Sequence, residues 1–157
     1  MKNKVLDLLP FLLIGDLVLP FLLAPTYRGY NHLMQVMSAL GNPIAPLHIL
    51  YNIWLIVLGI GILLCNFKLY PVIAEKSSSI AIMLFAIICI YAIGACILSG
   101  LFPVGETKEL KTISSKIHGY GSAIGFMFLI FAPLFIGLYF FKSSSRFWGI
   151  FSLICFT

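Results

Sequence analysis

The sequence predicts an all-α protein, a polytopic transmembrane bundle with four complete spans and the start of a fifth. Two observations predict this class. Of the 157 residues, 61% are hydrophobic and only 10% are charged, with a mean hydropathy of +1.08, whereas about a quarter of a soluble domain is charged. In addition, four apolar runs reach about the 20 residues that a helix needs to cross a bilayer. We therefore expect lipid to be the solvent of most of the chain.

The spans are expected at roughly 5–24, 47–67, 79–102 and 119–141, with a partial fifth span at 147–157. The last run is too short to cross a bilayer as a helix. We therefore expect residues 1–157 to be a single helical domain that is truncated at its C-terminus. The first run starts after Lys2 and Lys4 but contains Asp7 and Asp16. It is also longer than the apolar core of a signal peptide, which favours an uncleaved first span.

The basic residues predict the orientation of the chain. If the N-terminus is cytoplasmic, six basic residues lie inside, namely Lys2, Lys4, Lys68, Lys76, Lys142 and Arg146, and four lie outside, namely Arg28, Lys108, Lys111 and Lys116. The positive-inside rule then predicts a multi-pass cell-membrane protein with a cytoplasmic N-terminus and the longer loops, 25–46 and 103–117, outside. The net charge of +5 is scattered between apolar runs. It therefore favours contacts with membrane lipids and excludes a nucleic-acid partner.

The first outer loop carries an amphipathic pattern. Apolar residues recur at helical spacing in "NHLMQVMSAL", at Leu33, Met34, Val36, Met37 and Leu40. Asn31 can cap such a helix and Gly41 can end it. We expect a short interfacial helix here, with His32 at the membrane surface. A flexible tether is the alternative.

Two histidines open apolar spans and provide the main candidates for a site. His48 is followed by Asn52 and His118 by Ser122. A spacing of four residues places each pair on one helix face, about 6 Å apart along the axis. Asp16 lies well inside the first span, where a charge costs roughly 2.5–3.5 kcal/mol. It should therefore face the bundle, either in a functional role or as a neutral carboxyl bonded to a neighbouring helix.

These groups allow two kinds of chemistry. Imidazole and carboxylate together can bind a metal, and a histidine can act as general base for a hydroxyl such as Ser38, Ser99 or Ser122. The candidate catalytic residues are His48, His118, Asp16 and Glu106, and the candidate ligand-binding residues are Ser38, Asn52, Tyr51, Ser122 and Phe102. The sequence has no H-E-x-x-H or G-x-S-x-G motif. We therefore assign no metal and no cofactor, and an enzyme is the less favoured interpretation.

Three segments in order, "YRGYNHLMQVMSALGNPIAP", "SGLFPVGE" and "KIHGYGSAIGF", carry a resemblance to a known family. The chain resembles the bacterial integral membrane family catalogued as domain of unknown function 998. The matching residues are Ser38, Leu40 and Gly41, then Gly100, Leu101, Phe102, Pro103 and Glu106, and finally His118. The resemblance implies about six spans, of which this chain would lack the last two, and no established activity. A looser similarity to DRAM-like and Frag-like six-helix membrane proteins implies a related architecture.

Two functions fit these observations. The first is a non-catalytic bundle that binds a lipid or other amphiphile, or a membrane partner such as a second copy, at the outer leaflet. The second is a membrane-embedded hydrolase or transferase that acts on an outer-leaflet lipid through His48, His118 and an acidic residue. Glycines at 121 and 125 would let helices approach closely in either case.

Overall fold

The computed structural model describes residues 4–104 and 110–157. Of the described residues, 77% are in helices and none is in a strand, which confirms the all-α prediction. Four helical stretches in these residues are long and apolar enough to cross a membrane, namely Leu6–Thr26, His48–Ala74, Ser78–Leu101 and Ile113–Lys142. These are the features of a multi-pass membrane protein.

Seven α-helices follow one another along the described chain. They are α1 (Leu9–Leu23), α2 (His48–Ala74), α3 (Ser78–Tyr91), α4 (Leu98–Leu101), α5 (Ile113–Leu129), α6 (Ala132–Lys142) and α7 (Arg146–Ile154). Short 3-10 helices flank α1, and a π-helix at Ala92–Ile97 joins α3 to α4 into one continuous span. We call Ala92–Ile97 the π segment.

Two boundaries differ from the expected positions. The second span continues to Ala74 instead of ending near residue 67. The fourth begins at Ile113 instead of residue 119, because Thr112 and Ser115 form a capping box in which each side chain binds the other's backbone N–H at 3.0 Å. The same span is interrupted between Leu129 and Ala132, immediately before Pro133, which is accepted in the first turn of α6 but not in a helix interior.

The start of a fifth span remains a prediction. Helix α7 contains nine residues, which is too short to cross a bilayer. It packs back against α6. At this contact Gly137 approaches the backbone of Gly149, and a Cβ on Gly137 would lie 3.2 Å from the Gly149 carbonyl oxygen.

The loop helix expected over residues 31–40 is not formed. Asn31 caps a single turn, in which its Oδ1 accepts the Leu33 N–H at 2.8 Å and its carbonyl oxygen accepts the Gln35 N–H at 2.9 Å. Val36 is extended, and the chain then makes a single 3-10 helix at Met37–Gly41. The extended backbone at Val36 interrupts the helical path after this one turn, so the amphipathic pattern does not produce an α-helix over residues 31–40.

The third span lies at the centre of the bundle, where glycines let its π segment contact α2 and α5 through the backbone. A Cβ on Gly94 would lie 2.5 Å from the Gly121 carbonyl oxygen, and one on Gly59 would lie 2.7 Å from the Ala92 carbonyl oxygen. Such approaches are typical of packed membrane helices with small residues at the contact. Next to them, a buried apolar cluster joins α2 to the π segment, with the residues Leu58, Ile62, Ala92 and Cys96.

The first span is peripheral. Helix α1 packs mainly against α2 and, near its end, against the Met37–Gly41 turn. The Trp54 ring lies against Gly15, and Leu12 lies against Gly61. Most other side chains of α1 are exposed. The contact with α2 therefore positions this helix and leaves the space between α1 and α5 open.

The backbone contact at Gly94 yields a stability prediction. Gly94→Ala should destabilise the protein by about 1–3 kcal/mol, because the new Cβ forces α5 away from the π segment. The melting temperature of the protein in detergent should fall by several degrees.

The matched control is Gly119→Ala, also a helical glycine. There the three atoms nearest to the new Cβ all belong to the exposed, flexible Leu110 side chain, whose Cδ2 is the closest. Equal melting temperatures for the two variants would contradict the assigned role of the Gly94 contact.

Candidate functional site

A cavity of about 530 Å³ lies at the end of the bundle that carries the loop 25–47. Its polar wall comes from separate segments, with Asp16 on α1, Ser38 in the loop, Tyr51 on α2, Ser99 on α4, and His118 and Ser122 on α5. Much of the remaining wall is apolar and includes Leu55, Leu58 and Phe126. We call this space the loop-end cavity.

The structure brings together some of the residues predicted from the sequence and not others. Five of them line the loop-end cavity, namely Asp16, Ser38, Tyr51, Ser122 and His118. Three do not line it, namely His48, Asn52 and Phe102. Glu106 lies outside the described residues. The roles assigned to these residues stay predictions.

His118 is buried and is fixed by the end of the third span. Its Nδ1 lies 3.0 Å from the Phe102 carbonyl oxygen. Because a carbonyl oxygen only accepts, Nδ1 is the donor, and a neutral ring then has its lone pair on Nε2. Phe102 therefore acts on the site through its backbone. Nearby, the Ser114 hydroxyl donates to the Pro103 carbonyl oxygen at 3.0 Å and also ties α5 to this chain end.

Two serine hydroxyls join the third span to α5 inside the cavity. The Oγ atoms of Ser99 and Ser122 lie 2.8 Å apart, and Ser99 Oγ is also 3.4 Å from the Gly94 carbonyl oxygen. Ser122 lies one helical turn beyond His118. Its hydroxyl is nevertheless bonded to Ser99, and no hydrogen bond between Ser122 and the imidazole is found in the described part of the chain.

Asp16 supplies the only Asp, Glu, Lys or Arg side chain among the described residues of the cavity wall. Its half-buried carboxyl lies beside the indole of Trp54. Trp54 Nε1 is buried and has no hydrogen bond of good geometry within the described chain, so the indole and the carboxyl are in contact but do not form a well-aligned hydrogen bond. Asp16 is also within electrostatic range of Tyr51 and Tyr91.

His48 and Asn52 fasten the loop to the start of α2. Nδ1 of His48 donates to the Ala45 carbonyl oxygen at 2.8 Å, and Nδ2 of Asn52 donates to the Gly41 carbonyl oxygen at 3.0 Å. Leu40, only 2% exposed, packs in a core cluster that includes Tyr51. The loop is therefore held over the cavity by hydrogen bonds and by apolar packing.

His32 lines the cavity, although the sequence placed it at the membrane surface. Its ring packs on Phe21 with centroids 4.5 Å apart, and its Nδ1 lies 3.2 Å from the Tyr30 hydroxyl. The other ring nitrogen, Nε2, is buried without a partner among the described residues. Burial raises the pKa of Tyr30 above its usual value of 10.0, so the phenol stays protonated at neutral pH.

No metal centre is found among the residues that the structure describes. None of them forms a group of three or more His, Cys, Asp or Glu side chains that could hold an ion. The combination of imidazole and carboxylate considered from the sequence therefore has no complete ligand set in 4–104 and 110–157.

Comparison with known proteins gives a family. The family model described as "Protein of unknown function (DUF998)" matches residues 14–157. The chain belongs to this family. The match confirms the resemblance noted from the sequence, whereas the looser similarity to DRAM-like proteins is not confirmed. No curated protein and no solved structure matches at a significant level.

A second cavity in this DUF998 protein lies further along the same helices. It has a volume of about 200 Å³ and a largely apolar wall, which includes Leu9 and Leu13 of α1 and Leu129 of α5. Tyr91 borders both this space and the loop-end cavity. We call the second space the apolar cavity. The two cavities are therefore neighbours along α1.

The hydrogen bond between Asn52 and Gly41 yields a prediction about the loop. Asn52→Ala should release the Met37–Gly41 turn, because this bond contributes about 1 kcal/mol. Hydrogen exchange at the Asn42 amide, which bonds Ala39 within the turn, should accelerate about fivefold.

Ile53→Ala is the matched control, since Ile53 is exposed on the same turn of α2. If Ile53→Ala accelerated hydrogen exchange at the Asn42 amide as much as Asn52→Ala does, the Asn52–Gly41 hydrogen bond would not be what holds the loop.

Proposed function

We propose that this DUF998 protein binds a lipid or other amphiphile in the loop-end cavity without catalysing a reaction. One observation carries the proposal. Polar side chains from α1, the loop, α2, the third span and α5 converge on a space of about 530 Å³ whose remaining wall is largely apolar. A concave, mostly apolar site with a few convergent polar groups is the usual form of a small-molecule site. In a bundle of membrane-spanning helices, such a site suits a molecule with a polar head and an apolar tail.

The position of α1 supports entry from the membrane. Helix α1 packs mainly on α2 and contributes Asp16 to the cavity wall, whereas α5 contributes His118. An amphiphile that moves laterally between these helices keeps its tail in lipid. The distribution of basic residues supports a cytoplasmic N-terminus in the cell membrane, which assigns the cavity to the outer leaflet.

The alternative is a hydrolase or transferase that uses His118 as general base. In its favour, His118 and Ser122 line one cavity. Against it, the hydroxyl of Ser122 is bonded to Ser99, and His48 lies outside the cavity wall. Nucleophilic catalysis needs a hydroxyl within hydrogen-bond reach of its base. The observed contacts therefore favour binding over turnover.

Filling the cavity should abolish amphiphile binding. In the Trp148→Phe background, Trp54 beside Asp16 becomes the single tryptophan. A dibrominated dodecanol added to the protein in detergent should quench the fluorescence of Trp54. One component of this quenching should saturate as the probe concentration rises. Ser122→Phe should remove that component, because the ring occupies the cavity.

Ala123→Phe adds the same ring on an exposed face of α5 and should leave saturable quenching intact. The melting temperature of each variant reports whether it is folded. Quenching that increases linearly with probe concentration, or that is identical in Ser122→Phe and Ala123→Phe, would overturn the proposed site.

A further inference from the structure

We propose that the bound molecule is a cationic amphiphile, with a protonated amine head beside Asp16 and an alkyl chain in the apolar cavity. This inference rests on the proposed function and specifies its ligand. It draws on three features of the described cavity walls, which are their charge, their aromatic rings and the arrangement of the two cavities along α1.

The charge of the wall selects the head group. Asp16 lines the loop-end cavity, and no Lys or Arg is found among the described lining residues. A phosphate head would therefore be held near a carboxyl without a cationic partner, and an unpaired charge is costly in a partly dry site. An ammonium group placed there has a carboxylate to pair with. The wall therefore favours a positive head over a negative one.

Aromatic and acceptor groups complete a site for an organic cation. Tyr51, Tyr91 and Phe126 line the cavity. Ring faces attract ammonium groups, most strongly where water is excluded. An ammonium also carries three donors, and the hydroxyl oxygens of Ser99 and Ser122 are acceptors in the same wall. A protonated amine in this cavity can thus have its charge stabilised and its N–H donors bonded by the same wall.

The apolar cavity provides the space for the chain. Along α1, Leu13 and Leu9 lie on successive turns below Asp16 and line this second space. The rise from residue 16 to residue 9 is about 10 Å. Tyr91 lies at the border of both cavities. A head beside Asp16 would therefore send its chain past Tyr91 along α1, still in contact with apolar side chains.

A series of probes with one chain and different heads tests this inference. Dibrominated dodecylamine, dodecanol and dodecyl phosphate are titrated against Trp54 fluorescence in the Trp148→Phe protein. The amine should bind about tenfold tighter than the alcohol, and the phosphate should bind more weakly than both. Asp16→Asn should remove the preference for the amine and retain binding of the alcohol.

Asp7→Asn is the matched control, because Asp7 is an exposed acid in the turn that precedes α1. It should leave the preference unchanged, which separates pairing with Asp16 from general attraction of the amine to an acidic side chain. Unbrominated butylamine serves as a head without a chain. It should displace the dodecylamine probe only at concentrations at least about a hundredfold higher, since its chain is eight carbons shorter and buries correspondingly less apolar surface.

Each outcome is decisive. Equal binding of the three heads, or tightest binding of the phosphate, would overturn the cationic head while amphiphile binding stands. Displacement by butylamine at concentrations similar to that of the dodecylamine probe would overturn the chain-binding part, with a small organic cation as the occupant. Absence of saturable binding for all probes would overturn the proposed function itself.

Discussion

The backbone contact between the π segment and α5 is the constraint on which the rest of the site depends. Gly94 and Gly121 meet without Cβ atoms, so that a Cβ on Gly94 would lie 2.5 Å from the Gly121 carbonyl oxygen. This close approach allows the hydroxyls of the neighbouring Ser99 and Ser122 to lie 2.8 Å apart. A larger side chain at the contact would separate the helices and break the hydrogen bond. The glycines thus determine the distance between the two helices that form this part of the cavity wall.

The π geometry of the third span links this contact to polar chemistry. A π-helix is rare and commonly marks a functional position, because its wider turns place residues out of the ordinary helical register. Here it places Ala95 and Cys96 in the wall of the loop-end cavity and lets the Ser99 hydroxyl approach the Gly94 carbonyl oxygen at 3.4 Å. Apolar residues in the π segment therefore form the wall, and Ser99 adds a hydrogen-bonding group at its edge.

The sequence predicts the spans well and the site in part, and two histidines show why. In the sequence, His118 and His48 have the same expected position at the start of an apolar span and the same partner spacing, whereas in the structure His48 begins α2 and His118 lies in the second turn of α5. His118 lines the cavity because the end of the third span supplies the Phe102 carbonyl oxygen. His48 instead bonds Ala45 in its own loop. Helical periodicity tells which residues share a face but not which neighbour that face meets.

His32 shows the other limit of sequence reasoning. Its place in the cavity depends on the path of the loop, which a side-chain turn at Asn31 and the Asn52–Gly41 bond determine together. Between them, the extended backbone at Val36 ends the turn that Asn31 starts, so the helix that the apolar spacing predicts is not formed. A pattern of hydrophobic residues records burial averaged over a helix, so it cannot report a loop that is folded by individual hydrogen bonds.

The rotation of α1 determines whether Asp16 belongs to the site at all. This helix packs mainly on α2, through the Trp54 ring seated on Gly15 and Leu12 seated on Gly61. Each glycine leaves room for a large side chain that a Cβ would exclude. The two contacts therefore determine how α1 is rotated about its own axis. The residue after Gly15 then faces the open space toward α5 and lines the cavity. A carboxyl turned to lipid would cost several kcal/mol, so the same rotation that completes the site also removes that cost.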